Sequence, residues 1–293
     1  TRNAGSRKNV NFLRISFTGI MNKFLDKIPQ TVKNLIETAQ SAGFECYVVG
    51  GCVRDLLAGA VPSDWDAATN ANPEQIQKIF PDSYADNKFG TIKVRTVSSS
   101  SAPMEIEITP YRVESKYTDK RHPDTVEWAD NISDDLSRRD FTVNGLFLDP
   151  IRNEVIDFVG GRDNIEKKTL RAIGDARQRF AEDHLRLLRA VRFSTVLDFE
   201  IESQTWAAIV EMAPRIASVS AERVRDELTK ILLHPRRLRG FDLLVESGLM
   251  GVVLPEILVL KGCEQPPQFH PEGDVFVHTR LMLSLLPEEV SLP

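Results

Sequence analysis

The sequence predicts an α+β protein: a small sheet-bearing module reaching about Pro150, then a segment that is helical almost throughout. Two observations carry this reading. Between Cys46 and Tyr111 the chain alternates short β-branched apolar runs with glycine, proline and serine turns, which is how strands are written. Beyond Pro150 apolar residues recur at helical spacing, with Ser220 a good N-cap for one of the helices. The 293 residues are 42% hydrophobic, enough for two or three compact modules.

Residues 22–43 read as an amphipathic helix, because Phe24, Ile28, Val32, Leu35, Ile36 and Ala39 share one face and Gly43 stops it. Cys46 to Val49 is the first strand, and Gly50-Gly51 turns the chain after it. Asn72-Pro73 opens a helix through Ile76, Ile79 and Phe80, ended by Pro81. Thr91 to Val97 and Met104 to Tyr111 are β-rich and joined by a serine-rich turn, a hairpin. Residues 113–135 are polar and lack a period, so a mobile loop is expected there. Gly174 and Asp175 precede a long helix beginning near Gln178, and further helices run from Ser220 to Leu233 and from Arg236 to Ser247. Thr1 to Ile20 is polar and basic with Met21 behind it, and reads as a leader or appended remnant without fold content.

Composition excludes several classes. No stretch of eighteen uncharged apolar residues occurs, so no membrane partner is expected. Cys46, Cys52 and Cys263 are too few and too scattered for a disulfide framework or a zinc site, which points to a reducing cytoplasm. The net charge of −5 argues against blanket attraction to nucleic acid, although a basic run from Lys167 to Arg192 provides a local patch.

The chemistry starts at Asp64 and Asp66. Alternate residues of an extended segment face one way, so both carboxylates point together while Trp65 turns inward. Hard oxygens beside a glycine turn suit magnesium-assisted phosphoryl or nucleotidyl transfer. A third carboxylate is expected from the neighbouring strand; Glu105 and Glu107 share a face there, with Glu107 favoured, and Pro110 marks an edge or terminating position. N–H groups around Gly50 and Gly51, with Arg54, would neutralise phosphate. Arg138-Arg139-Asp140, running on to Asn144, suits phosphate or ribose contacts. On one continuous helix, Asp183, Arg186 and Arg189 would fall within about 120° of one another, opposite Leu187, Leu188 and Val191. An aspartate beside an arginine matches the Watson–Crick edge of cytosine or adenine, an amino donor next to a ring-nitrogen acceptor.

Taken in order, GGCVRD, DWD, EIEITPYR, RRDFTVN and EDHLRLLRAVRF resemble the motif series of the class II nucleotidyltransferases, which include bacterial tRNA CCA-adding enzymes and poly(A) polymerases. The resemblance, from about Phe44 to His278, implies a polymerase-β-like head over 21–150, a helical neck with the base-reading site over 151–235, and a helical body over 236–293. It implies Asp64 and Asp66 on metal, Gly51 and Arg54 on the nucleotide, and Arg139, Asp183, Arg186, Arg189 and Arg192 on base and triphosphate. The expected activity is template-independent addition of CMP and AMP from CTP and ATP to the tRNA 3′ end with Mg²⁺ and no obligate protein partner. A-only addition is the alternative. Glu222 to Leu228 is similar to the family's further neck motif, and Tyr117 to Val126 to the loop that switches from C to A addition, which argues against an enzyme restricted to two cytidines. Phe269 to His278 resembles the start of an HD-type domain, cut short at Pro293; His270, Glu272 and His278 are therefore expected to be structural rather than a working metal site.

Overall fold

A computed structural model describes residues 13–16, 25–86, 90–98, 101–115 and 125–291. They form two compact units, one ending at Lys167 and the other beginning at Lys168.

The first unit contains β1 (Leu13–Ser16), α1 (Gln30–Ser41), β2 (Cys46–Val49), α2 (Gly51–Leu57), β3 (Asp66–Thr69), α3 (Pro73–Ile79), β4 (Ser83–Ala85), β5 (Ile92–Ser98) and β6 (Ser101–Pro110). It continues through β7 (Arg112–Ser115), β8 (Thr125–Trp128), α4 (Ile132–Ser137), β9 (Leu146–Asp149), β10 (Glu154–Asp157) and α5 (Gly161–Glu166). Among the described residues one large sheet runs β1-β10-β9-β2-β3-β6-β5-β4. Its centre, β2, is apolar and wholly buried, as a strand covered on both faces must be. α1 lays Val32, Leu35, Ile36 and Ala39 inward, the three larger side chains each contributing about 1.5–3 kcal/mol on full burial. Asn72 opens α3 through a complete capping box with Gln75, which satisfies two otherwise orphaned N–H groups.

Three expectations need correction here. Leu13–Ser16, inside the segment read as having no fold content, pairs with β10; Leu13 and Ile15 alternate there with Arg14 and Ser16, the period-two pattern of a strand. The sheet also continues past Pro150, since β10 folds back on β9. The segment 113–135, read as a loop, holds the β7–β8 ribbon and α4, whose N-cap Asn131 accepts from Asp134 N. Tyr117, Asp119, Arg121, His122 and Pro123 lie outside the described residues. The expectation for Pro110 holds in its terminating form: β6 is an interior strand between β3 and β5, and Pro110 is its last residue, where a missing N–H is tolerated.

The second unit contains β11 (Thr169–Leu170), α6 (Ala176–Glu182), α7 (Leu185–Leu197), β12 (Glu200–Ile201), α8 (Ser203–Met212), α9 (Ala221–Leu232), α10 (Arg237–Glu246), α11 (Met250–Val253), α12 (Pro255–Val259) and α13 (Val275–Leu285). α7 is its core helix: Leu187, Leu188, Ala190 and Val191 are fully buried, and α9 and α10 pack on it. Asp175 caps α6 by accepting from Gln178 N at 2.8 Å. Ser220 holds the N-cap position of α9 but makes no side-chain cap bond. Among the described residues no helix is long and apolar enough to cross a membrane.

Candidate active site

In the first unit, Gly50 joins β2 to α2 with φ 78°, a left-handed conformation that glycine adopts without a Cβ penalty. A Cβ there would lie 3.7 Å from Asp66 Oδ2, so this turn sits against the Asp66 carboxylate. Gly51 begins α2, and Arg54 follows one turn later. The Arg54 guanidinium pairs with Asp55 at 2.8 Å and donates to Asn144 Oδ1 at 2.8 Å. Asn144 in turn donates to Asp140 Oδ1 at 3.3 Å. Arg139 donates to the Asn144 carbonyl at 3.2 Å and pairs with the fully buried Asp135 at 2.9 Å. Burial works to raise the Asp135 carboxyl, but the guanidiniums of Arg139 and Arg138 outweigh it and hold the group below its ordinary value.

The turn bearing Asn144 is fixed from behind. Asp157 accepts four backbone N–H bonds, from Val159, Gly160, Gly161 and Arg162, which shape the entry to α5. Gly161 then packs so closely on the 3-10 turn Thr142–Asn144 that a Cβ would meet the Thr142 carbonyl oxygen at 2.2 Å.

Asp66 is the first residue of β3, whereas Asp64 lies in the bend before it, its carboxylate accepting from Ser63 Oγ at 3.0 Å. The expected sharing of one extended strand therefore fails for Asp64, although Trp65 does turn inward, 5% exposed. β3 and β6 run parallel with Asp66 opposite Glu107, and β5 places Lys93 opposite Glu107 on the other side. Residues paired across a sheet share a face, so Asp66, Glu107 and Lys93 form a row. Lys93 Nζ bridges Glu107 at 3.3 Å and Asp86 at 3.0 Å, and these carboxylates raise its pKa. Glu105 is engaged elsewhere, by Arg95 at 3.2 Å and the Tyr84 hydroxyl at 3.0 Å. The register thus sets Glu107 rather than Glu105 beside Asp66.

Burial, and then the negative charges of Glu107 and Asp64, push the Asp66 carboxyl up to about 6 against the opposing pull of Arg139. A row of hard oxygens that disfavours its own charge fits a hard divalent cation, which would supply the missing positive charge. The donor oxygens of Asp64, Asp66 and Glu107 are not drawn within 4.8 Å of one another; among the described residues His270, Glu272 and His278 are.

In the second unit the long helix expected from Gln178 is broken. Asp183 ends α6 with extended backbone, φ −145° and ψ 106°, and its carboxylate accepts from Leu185 N at 3.0 Å. An aspartate that bonds to the backbone two residues ahead competes with the helix, and this one starts α7 instead of continuing α6. Asp183 therefore stands outside the helix that carries Arg186 and Arg189, although Arg186 N donates to its carbonyl at 3.0 Å and keeps the two residues within one turn. Asp183 is held by Arg223 of α9, at 2.7 and 3.2 Å, while Arg186 is buried and pairs with Glu182 at 2.7 Å. Arg192 pairs with Glu227 at 2.5 Å and lies over the Phe193 ring at 4.1 Å, with Arg189 over the same ring at 5.2 Å. Lys93, Asp135 and Arg223 were not singled out from the sequence. Only Arg223 left a signal, its place in the Glu222 to Leu228 motif.

A glycine turn against an acidic strand row, with an arginine network behind it, is the architecture of a nucleotidyltransferase head. The family model of the poly A polymerase head domain matches residues 46–171, and that of the probable RNA- and SrmB-binding site of polymerase A matches residues 198–260. The chain belongs to the nucleotidyltransferase family of poly(A) polymerases and CCA-adding enzymes. It is 41% identical over 228 residues to a CCA-adding enzyme of Lactococcus lactis, covering 76% of this chain and 56% of that relative. A CCA-adding enzyme of Geobacillus stearothermophilus is 39% identical over 221 residues, 75% of this chain and 53% of the relative. Among solved structures, the Bacillus stearothermophilus CCA-adding enzyme in complex with CTP aligns with TM-score 0.69 and 32% identity, over 88% of this chain and 66% of that one. The chain thus spans little more than half the length of these sequence relatives.

Proposed function

We propose that this chain carries the catalytic and base-selecting parts of an enzyme that adds CMP and AMP from CTP and ATP to the 3′ end of tRNA without a template. The observation that carries the reading is the register of Asp66 against Glu107 beneath the Gly50 turn. The names of the relatives, CCA-adding enzymes, support it, as does the CTP held by the Bacillus structure. Asp64, Asp66 and Glu107 would hold Mg²⁺, which when bound activates a ribose hydroxyl and steadies a departing pyrophosphate.

The chain's own residues supply the rest. Gly50 and Gly51 leave room for phosphate to approach the backbone. Arg54 and Arg139 offer guanidinium charge to the triphosphate, and Asp140 and Asn144 hold Arg54 in place. Asp183, presented by Arg223, takes part in choosing cytosine and adenine with Arg186, while Arg189 and Arg192 contribute cationic charge. Matching both a donor and an acceptor on the base edge rejects uracil and guanine, whose order is reversed. The buried, unpaired thiols of Cys46 and Cys52 suit a cytoplasmic setting.

The test is extension of a tRNA ending at its discriminator base, with each of the four triphosphates in turn. Addition of two cytidines and one adenosine is expected. Addition of adenosine alone would select the A-only alternative, and incorporation of UMP or GMP as readily as AMP would overturn the base-edge argument.

A further inference from the structure

Far along the chain from the head's carboxylates, the turn between α12 and α13 gathers a second set of donors. His270 and Glu272 lie in the segment before α13, and His278 lies in its first turn. One ligand atom from each lies within 4.8 Å of the other two. His270 Nδ1 stands 3.3 Å from Glu272 Oε1, and His278 Nδ1 is hydrogen-bonded to the same oxygen. The two imidazole rings meet edge to face, centroids 4.9 Å apart, so they do not stack.

We propose that His270, Glu272 and His278 form a binding site for a borderline divalent transition ion such as Zn²⁺ or Co²⁺, with a position left open for water or a ligand. The geometry supports it. Metal–ligand bonds of about 2.0–2.2 Å in a tetrahedral shell place donor atoms roughly 3.3 Å apart, the separation found between His270 and Glu272. Two imidazoles and one carboxylate are a nitrogen-rich set, which selects transition ions over the hard magnesium that the oxygen-only head favours.

The donors sit on a supported frame. Asp274 caps α13 by accepting from Val277 N at 2.9 Å and also accepts from Gly262 N at 2.7 Å. Val275 N donates to the Cys263 carbonyl at 3.0 Å. His270 N donates to the Pro266 carbonyl at 3.1 Å, and Gly273, at φ 117°, reverses the chain between the two histidines. Each ring is about one-third exposed and Glu272 less so, which leaves a route for the ion. The ion would take the place of the proton now shared between His278 and Glu272, pinning the turn to α13.

The experiment is a Co²⁺ titration of the full chain, stripped with chelator and dialysed, in which Asp64→Asn and Asp66→Asn have removed two of the head's three carboxylates. One equivalent of Co²⁺ with the intense visible absorption of a tetrahedral site is expected, displaced by Zn²⁺ and not by Mg²⁺. His278→Ala and Glu272→Gln should each weaken binding at least about a hundredfold while circular dichroism and the melting profile without metal stay near those of the parent. If His278→Ala changes that melting profile, Glu272→Gln, which keeps the side-chain volume, decides the matter. Absence of stoichiometric Co²⁺ binding, or binding indifferent to both substitutions, overturns the proposal and leaves a hydrogen-bonded His–Glu–His cap.

Discussion

Replacing Asp66 with asparagine should make the metal-free protein more stable at neutral pH while destroying nucleotide transfer. In the native fold burial and the charges of Glu107 and Asp64 raise the Asp66 pKa from 3.8 to about 6. That rise corresponds to roughly 3 kcal/mol against the ionised carboxylate, an upper figure because Arg139 and solvent can adjust. The sign follows from proton counts. Below pH 3.8 native and unfolded chains both hold the proton and the group contributes nothing. Between 3.8 and about 6 the native state keeps a proton that the unfolded chain has released, so stability falls as pH rises. Above about 6 both are ionised and the native state carries the full penalty. Asparagine removes the charge at nearly constant shape. Urea unfolding in chelator should therefore show Asp66→Asn gaining up to about 3 kcal/mol over the parent at pH 8, with the gain vanishing near pH 4. A difference that does not change with pH, or a variant less stable than the parent at pH 8, would refute the reasoning.

Other outcomes follow from the same geometry. Lys93→Met strips Glu107 of its counter-charge, so the pH at which Asp66 titrates should move upward in the unfolding experiment; no movement would remove Lys93 from the row. Gly161→Ala drives a methyl against the Thr142 carbonyl and should cost about 2–3 kcal/mol, read as a lowered denaturant midpoint, because the opposing atom is backbone and cannot swing aside. Arg223→Met frees a partly exposed Asp183 and should cost only about 1 kcal/mol of stability, yet narrow the preference for CMP and AMP over UMP and GMP by tenfold or more in competition assays. Asp64→Ala should lower single-turnover transfer by at least about a thousandfold with RNA binding nearly unchanged.

The parts of the site that lie close in sequence were legible, and those made by distant pairing were not. The Gly50 turn and the Asp64 and Asp66 pair announce themselves through residue type and spacing. Glu107 could be favoured but not separated from Glu105, because alternation gives a face but no register, and it is the parallel pairing of β3 with β6 that separates them. The Arg54–Asn144 bond joins residues 90 apart and the Asp183–Arg223 pair residues 40 apart, separations that no local pattern encodes. The helix break at Asp183 had a signal, an aspartate just ahead of a leucine run, but helical spacing on both sides hid it. The Leu13–Ser16 strand was masked by the polar residues around it, since an edge strand needs little apolar surface of its own.

The central claim is that Asp66 and Glu107, with Asp64 beside them, hold a divalent cation where a nucleotide's phosphates meet the Gly50 turn. The most direct measurement is anomalous diffraction from crystals of the protein soaked with Mn²⁺ and a non-hydrolysable CTP analogue. The account predicts an anomalous peak within ligand distance of Asp66 and Glu107 and in contact with the analogue's phosphates. A nucleotide bound elsewhere, with no metal at those two carboxylates, would contradict it.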